Sequence, residues 1–177
     1  MIKQLRNLSK TAQAVAWLVA LPVVLGVAYF GYWTLSPLFY DVKVSEELRI
    51  NDETKIAQLA QGDFIDGDSL HKSSGKAKLI RTDATSVVLR FEEDFKTTNG
   101  PDLYVWLVRD GKPEDLNGKY DYVELGRLTG NIGSQNYELP LGTDLSRYNS
   151  VIIWCKAFGV LFGWAQLTSD LYSPPDS

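Results

Sequence analysis

One cysteine, one histidine and one methionine are all that this chain of 177 residues has of the usual soft and borderline ligands. The lone Cys155 excludes an intramolecular disulfide and a CxxC redox pair. It also argues against CxxCH haem attachment and a Cys/His zinc site, which need more ligands than the chain has. The lone His71 has no methionine to join it as a haem axial pair, because the only Met is Met1. With one imidazole and no ordered partners, no Ser/His/Asp triad can be argued. Positive charge is also short. The net charge is −4, and Lys3, Arg6 and Lys10 put +3 on residues 1–40, which leaves −7 on the remainder. An acidic body does not attract phosphate backbones, so nucleic acid is not an expected partner.

Charge of either sign is missing from Thr11 to Tyr40. The run AVAWLVALPVVLGVAYFGYW is long enough to cross a bilayer as a helix. Pro22 and Gly26 suit a membrane helix better than a soluble one. Tyr29, Tyr32 and Trp33 fit an interfacial aromatic belt, and the basic residues precede the span. The expectation is one uncleaved anchor with a cytoplasmic N-terminus and the body outside, periplasmic if the source is bacterial. A cleaved signal peptide is the competing reading, but the run exceeds a usual h-region and lacks a clean small-x-small site before Ser36. A soluble buried helix of that length would be exceptional.

What is present after Tyr40 is polar, then β-like. Residues 41–60 read as a spacer with a short helix over NDETKIAQLA, capped by Asn51 or Asp52. From Gly62 short apolar runs alternate with Gly, Asn and Asp. Strands are predicted at 62–65, 77–82, 86–91, 103–108, 122–125, 135–139, 151–155 and 160–167. Turns fall at IDGD, TTNGPD, RDGKP, GNIGS and LPLGTD. No Gly-rich phosphate loop, repeat or long helical period accompanies them. The fold class expected is all-β, a sandwich or barrel spanning residues 61–168, behind one transmembrane helix within 1–40. Residues 169–177, ending in SPPDS, are expected to be loose.

The candidate chemistry gathers in SVIIWCKAFGVLFGWAQL, Ser150–Leu167. Strand alternation puts Val151, Ile153 and Cys155 on one face and Ile152, Trp154 and Lys156 on the other. Lys156 requires solvent, so Cys155 faces the core, where a free thiol packs as a small hydrophobe. A reactive thiol needs a cation or imidazole nearby. Lys156 points away, which leaves His71 in GDSLHKSSG as the candidate helper. An ordinary surface or cap histidine is the plainer reading of His71, and a metal or haem ligand a third. Asp63, Asp66 and Asp68 lack EF-hand spacing and read as turn residues. Glu92, Glu93 and Asp94 read as a solvated strand end.

Five motifs stand in one order: GDF at 62–64, His71 and Gly75, GPDLYVWL at 100–107, LGRLTGNIGSQNYELP at 125–140, and VIIWCKAFGVLFGWAQL at 151–167. In combination they resemble the DM-13 domain, associated with DOMON modules and found in Skeletor-like proteins. The resemblance implies an extracytoplasmic β-sandwich. Its characteristic cysteine, proposed to act in electron transfer, falls on Cys155. No DOMON module accompanies it in these 177 residues. The resemblance therefore implies a module working with a redox partner protein rather than a self-contained enzyme. On that reading Cys155 is the redox thiol, His71 its helper, and Trp154, Phe158 and Phe162 its shield. The cofactor stays open, with haem or a metal not excluded. The other reading is a non-catalytic binding or structural module of the cell envelope with an inert Cys155.

Overall fold

A computed structural model of the chain describes residues 9–36, 40–50, 56–109 and 121–169. The stub charges Lys3 and Arg6, the caps Asn51 and Asp52, most of the RDGKP turn and the SPPDS tail lie outside the described residues. The chain divides after Phe39 into two compact units. The first contains helix α1, Lys10–Leu35. Ser9 caps it, its hydroxyl accepting from Ala12 N at 3.3 Å and covering one of the orphan donors of the first turn. Its 26 residues reach about 39 Å at about 1.5 Å each, against roughly 30 Å of bilayer hydrocarbon. Large apolar side chains from Val15 to Trp33 are exposed around it. This helix is long and apolar enough to cross a membrane.

The second unit is built from short strands. They are β1 Lys43–Ser45, β2 Ala57–Asp63, β3 Ile65–Asp66, β4 Ser73–Ser74, β5 Lys76–Arg81 and β6 Val87–Phe91. After them come β7 Lys96–Thr97, β8 Leu103–Arg109, β9 Tyr122–Arg127, β10 Ile132–Glu138, β11 Tyr148–Cys155 and β12 Val160–Gln166. A seven-stranded sheet runs β2-β5-β6-β10-β7-β4, with β1 added to β10 in parallel. A five-stranded sheet runs β3-β12-β11-β8-β9. The strand β2–β3 bends at Phe64, pairing with β5 before the bend and β12 after it. A further bridge, Gln61 to Thr168, extends this seam. The two sheets thus curl into a nearly closed barrel-like body, mostly β as the sequence leads one to expect.

The interior is aromatic at one end. Phe64 meets Phe91 edge-on at 5.0 Å, and Phe91 meets Phe95 at 4.5 Å and Tyr137 at 5.3 Å. Leu79, Leu89, Val105, Leu107, Val151 and Ile153 complete the core. The five-stranded sheet also carries apolar residues on its outer side, where Trp106, Val108 and Ile152 are buried under Tyr104, Trp154, Leu161 and Trp164. Tyr122 stacks on Trp106 at 4.0 Å and 10°. Because both faces of β11 are covered, its sequence is a continuous VIIW rather than an in-out alternation.

Two strands of the body fall within the stretch expected to be a spacer. β1 lies alongside β10, and β2 takes residues 57–60 of the segment expected to be helical, whose residues 51–55 lie outside the described residues. Ala, Gln and Leu favour helix locally, but pairing of Ala57–Asp63 with β5 overrides that preference. The clamp continues through side chains. Asn131 donates to Asp41 at 2.9 Å and accepts from Val42 N at 2.7 Å. The Glu46 carboxylate accepts from Asn136 N at 2.9 Å, while Arg90 donates to the Glu46 carbonyl at 3.1 Å.

Candidate functional site

Cys155 is the last residue of β11, paired across to Leu103 on β8 and Val160 on β12. Its side chain has no solvent exposure and sits in the main core with Val151 and Ile153, on the face that alternation assigns to it. Trp154 lies on the opposite, outer face. Lys156 is exposed there, its Nζ 2.6 Å from Glu124 and 3.7 Å from the Tyr104 ring centre. That ion pair holds the Lys156 ammonium above its ordinary pKa and directs it away from the thiol.

The three aromatics expected to shield Cys155 separate. Phe158 occupies the hairpin tip and is 68% exposed, since alternation stops with the strand. Trp154 covers the other face. Only Phe162 shares the buried cluster with Cys155. Its ring closes over Gly100, where a Cβ would come within 2.8 Å of both Phe162 and Leu103. A side chain at this glycine of the GPDL motif would force Leu103 or Phe162 to shift.

His71 rests on the outer side of Phe162, with ring centres 4.2 Å apart. The loop between β3 and β4 puts it there. Gly67 N donates to the carbonyls of His71 at 3.0 Å and Phe162 at 3.2 Å. Ser73 Oγ donates to the same Phe162 carbonyl at 3.0 Å, and Ser73 N to Asp66 at 2.9 Å. Asp68 accepts at 2.7 Å from each of Leu70 N, His71 N and His71 Nδ1. These bonds, the His71 side chain first, lower the Asp68 carboxyl to about 2. A carboxyl lowered from 3.8 contributes stability above its unfolded pKa. That contribution disappears as pH falls through the folded value. Among the described residues no hydrogen bond or ion pair joins His71 to Cys155; Phe162 meets the His71 ring and shares the buried cluster with Cys155.

Gly67 lies so close to β12 that an added Cβ would press into the backbone of Leu161 and Phe162. We expect Gly67→Ala to lift the loop, at a cost of about 2 kcal/mol or more. Limited proteolysis between residues 66 and 72 should then become faster; unchanged cleavage would show that the loop is not clamped there.

The acidic clusters are accounted for as turns and pairs. Asp63 bonds Lys76 at 2.6 Å and Asp66 bonds Lys72 at 2.9 Å. Glu92 pairs with Lys78 at 3.1 Å, and Asp94 accepts from Lys76 N at 3.1 Å. Among the described residues no three His, Cys, Asp or Glu side chains gather as metal ligands. The GNIGSQNY run is architectural. Gln135 is fully buried, its Oε1 accepting from Thr129 N, Gly130 N and the Tyr137 hydroxyl. Its Nε2 donates to Gly130 O at 2.9 Å. Burial pushes the Tyr137 phenol to about 12. Asp68, read from the sequence as a turn residue, does hold a turn and also pairs with His71, a pairing whose signal was the Asp-x-x-His spacing.

Comparison with known families matches residues 63–167, more than half of the chain, to the family described as Electron transfer DM13. The match covers both the His71 loop and the β11–β12 hairpin with Cys155. No curated protein and no solved structure matches the chain.

Proposed function

This chain belongs to the electron transfer DM13 family, and from that premise we propose that its β body is a redox module in which Cys155 is the exchanging group. The observation that carries the reading is position. Cys155, the only thiol of the chain, ends its strand in the buried cluster that includes Phe162, whose ring meets His71. A single thiol cannot shuttle electrons as a dithiol, but it can cycle through a sulfenic acid or a mixed disulfide. With a hydroperoxide as oxidant, the thiolate sulfur attacks one peroxide oxygen. An S–O bond forms, the O–O bond breaks, and the leaving alkoxide or hydroxide takes a proton. A partner thiol then displaces water from the sulfenic acid to give a mixed disulfide, and a second thiol releases Cys155 reduced. The partner is a redox protein carrying those thiols.

The anchored setting belongs to the same proposal. The basic residues before α1 and the acidic body after it favour a cytoplasmic N-terminus and an extracytoplasmic body. Full burial of the sulfur means that the body around it must open for reaction.

That same burial favours a second reading, a non-catalytic envelope module with an inert thiol. Thiol labelling of the folded chain, before and after mild peroxide, separates the two, with Cys155→Ser as control. The redox reading expects labelling of the native chain that peroxide abolishes and a reductant restores. Labelling that appears only after denaturation would leave the inert reading. Absorbance in the Soret region of chain purified without added cofactor tests for haem.

A further inference from the structure

The outer face of the five-stranded sheet holds a row of stacked rings that the thiol reading does not use. Cross-strand register puts Trp106 of β8 opposite Glu124 of β9 and Ile152 of β11. Tyr122 lies two residues before Glu124, and Trp154 two after Ile152, so strand alternation brings both to this face. There Tyr122 stacks on Trp106 at 4.0 Å and 10°, and Trp154 stacks on Trp106 at 5.5 Å and 28°. Trp106 is buried, Trp154 half-buried and Tyr122 44% exposed. The row therefore runs from solvent to a sheltered indole through ring contacts alone.

Charge on this face is distributed unevenly. Trp106 Nε1 donates to Glu124 Oε2 at 3.1 Å, and Lys156 Nζ meets the same oxygen at 2.6 Å. Lys156 also lies 3.7 Å over the centre of the Tyr104 ring, with the Arg127 guanidinium 5.6 Å over it. A cation over a ring holds its π electrons more firmly, so Tyr104 is harder to oxidise than its neighbours. A carboxylate at the indole N–H acts the other way, because it stabilises the positive charge that a lost electron leaves. It can also take the proton, since an indole N–H becomes strongly acidic once the electron is gone.

We propose that Trp106 is a one-electron redox site of this body, with Glu124 as its proton acceptor and Tyr122 as the exposed ring that refills it. Its reactant is an outer-sphere one-electron oxidant that meets this face. The site uses neither Cys155 nor His71 and so goes beyond the thiol reading. The oxidant takes one electron from the Trp154–Trp106 stack, and the Nε1 proton passes to Glu124 Oε2, which leaves a neutral indolyl radical on Trp106. Tyr122 then gives an electron to that radical, Glu124 returns the proton to Nε1, and the Tyr122 phenol releases its own proton to water. In sum one electron and one proton leave Tyr122, while Trp106 and Glu124 are restored. A thiol acting as hydrogen-atom donor returns both to the phenoxyl radical and itself becomes a thiyl radical.

The test uses the full chain in detergent micelles with Cys155→Ser throughout, so that thiol oxidation does not contribute. A photogenerated ruthenium(III) polypyridyl complex is the oxidant, and transient absorption separates indolyl from phenoxyl radicals. The signal of the other rings is that of the Trp106→Phe, Tyr122→Phe double variant and is subtracted. Tyr122→Phe keeps the stacked ring and removes only a hydroxyl, so the fold is retained. In it the phenoxyl signal should be lost, and the indolyl radical should live at least roughly tenfold longer. Glu124→Gln still offers Nε1 an acceptor but no base. Its neutral indolyl radical should form at least roughly tenfold more slowly, with the indole radical cation visible first. Identical radical kinetics with and without the Tyr122 hydroxyl would overturn the proposal. So would a neutral indolyl radical that forms as fast in Glu124→Gln as with Glu124 present. Peroxide and labelling at Cys155 decide the thiol reading separately, so either reading can fail while the other stands.

Discussion

A chain cut to the matched segment, residues 63–167, is expected not to fold, whereas one beginning at Tyr40 is expected to keep its β structure. The family match starts at the last residue of β2, but the body does not. Cutting at residue 63 removes β2, whose residues pair with β5 from Ala57–Arg81 to Asp63–Lys76. The reciprocal backbone bonds between Gln61 and Thr168, at 2.9 and 2.8 Å, disappear with it. So does β1, leaving the edge of β10 open and the side chains of Asn131 and Asn136 without Asp41 and Glu46. Newly open edges invite association as well as unfolding. Losing a paired strand and a polar clamp removes several kcal/mol from a total of about 5–15. Far-ultraviolet circular dichroism and thermal melts of the two truncated chains decide the matter. A cooperative transition in the 63–167 chain at the longer chain's midpoint would show that β1 and β2 are dispensable.

Gln135→Leu should be the most damaging single substitution outside the aromatic core. The side chains are similar in bulk, so packing changes little. What is lost is the acceptor for Thr129 N, Gly130 N and the Tyr137 hydroxyl, and the donor to Gly130 O. Thr129 N keeps the Tyr137 oxygen at 3.2 Å, but Gly130 N and Gly130 O lose their buried partner and the Tyr137 hydroxyl its acceptor, each at about 1–3 kcal/mol. The sum is at least about 3 kcal/mol, which lowers the melting midpoint of a domain this size by roughly 10 °C or more. Differential scanning calorimetry measures it. A loss below about 1 kcal/mol would mean that the 128–131 turn relaxes to find other partners.

Much of this body is legible in its sequence, for local reasons. From Val151 to Cys155 the run is apolar on both faces, and the inward thiol follows from strand geometry together with Lys156 needing water. The strands centred on residues 79, 89, 106 and 163 announce themselves by apolar runs between turns. Others have no local mark. β4 is two serines and β7 is Lys-Thr; each exists because Ser73 lies across from Thr97. β1 pairs residues about ninety positions apart, Lys43 with Ile132, which no window of sequence contains. β2 has a composition that favours helix. At the site, the separation of Trp154, Phe158 and Phe162 depended on where the strand ends. Sequence proximity to Cys155 did not imply contact with it. The Asp68–His71 pairing was within local reach, three residues apart in a turn.

The placement of the tryptophans has a spectroscopic consequence. Trp106, Trp154 and Trp164 all stand on the outer side of the five-stranded sheet, and Trp17 and Trp33 are in the helix. None lies in the main core, which is lit only by Tyr137 and phenylalanines. Intrinsic emission excited at the indole band therefore watches the skin of one sheet and the helix. Events in the phenylalanine cluster will pass with little change in that signal. An indole moved inside, as in Phe95→Trp, would give the core a reporter of its own.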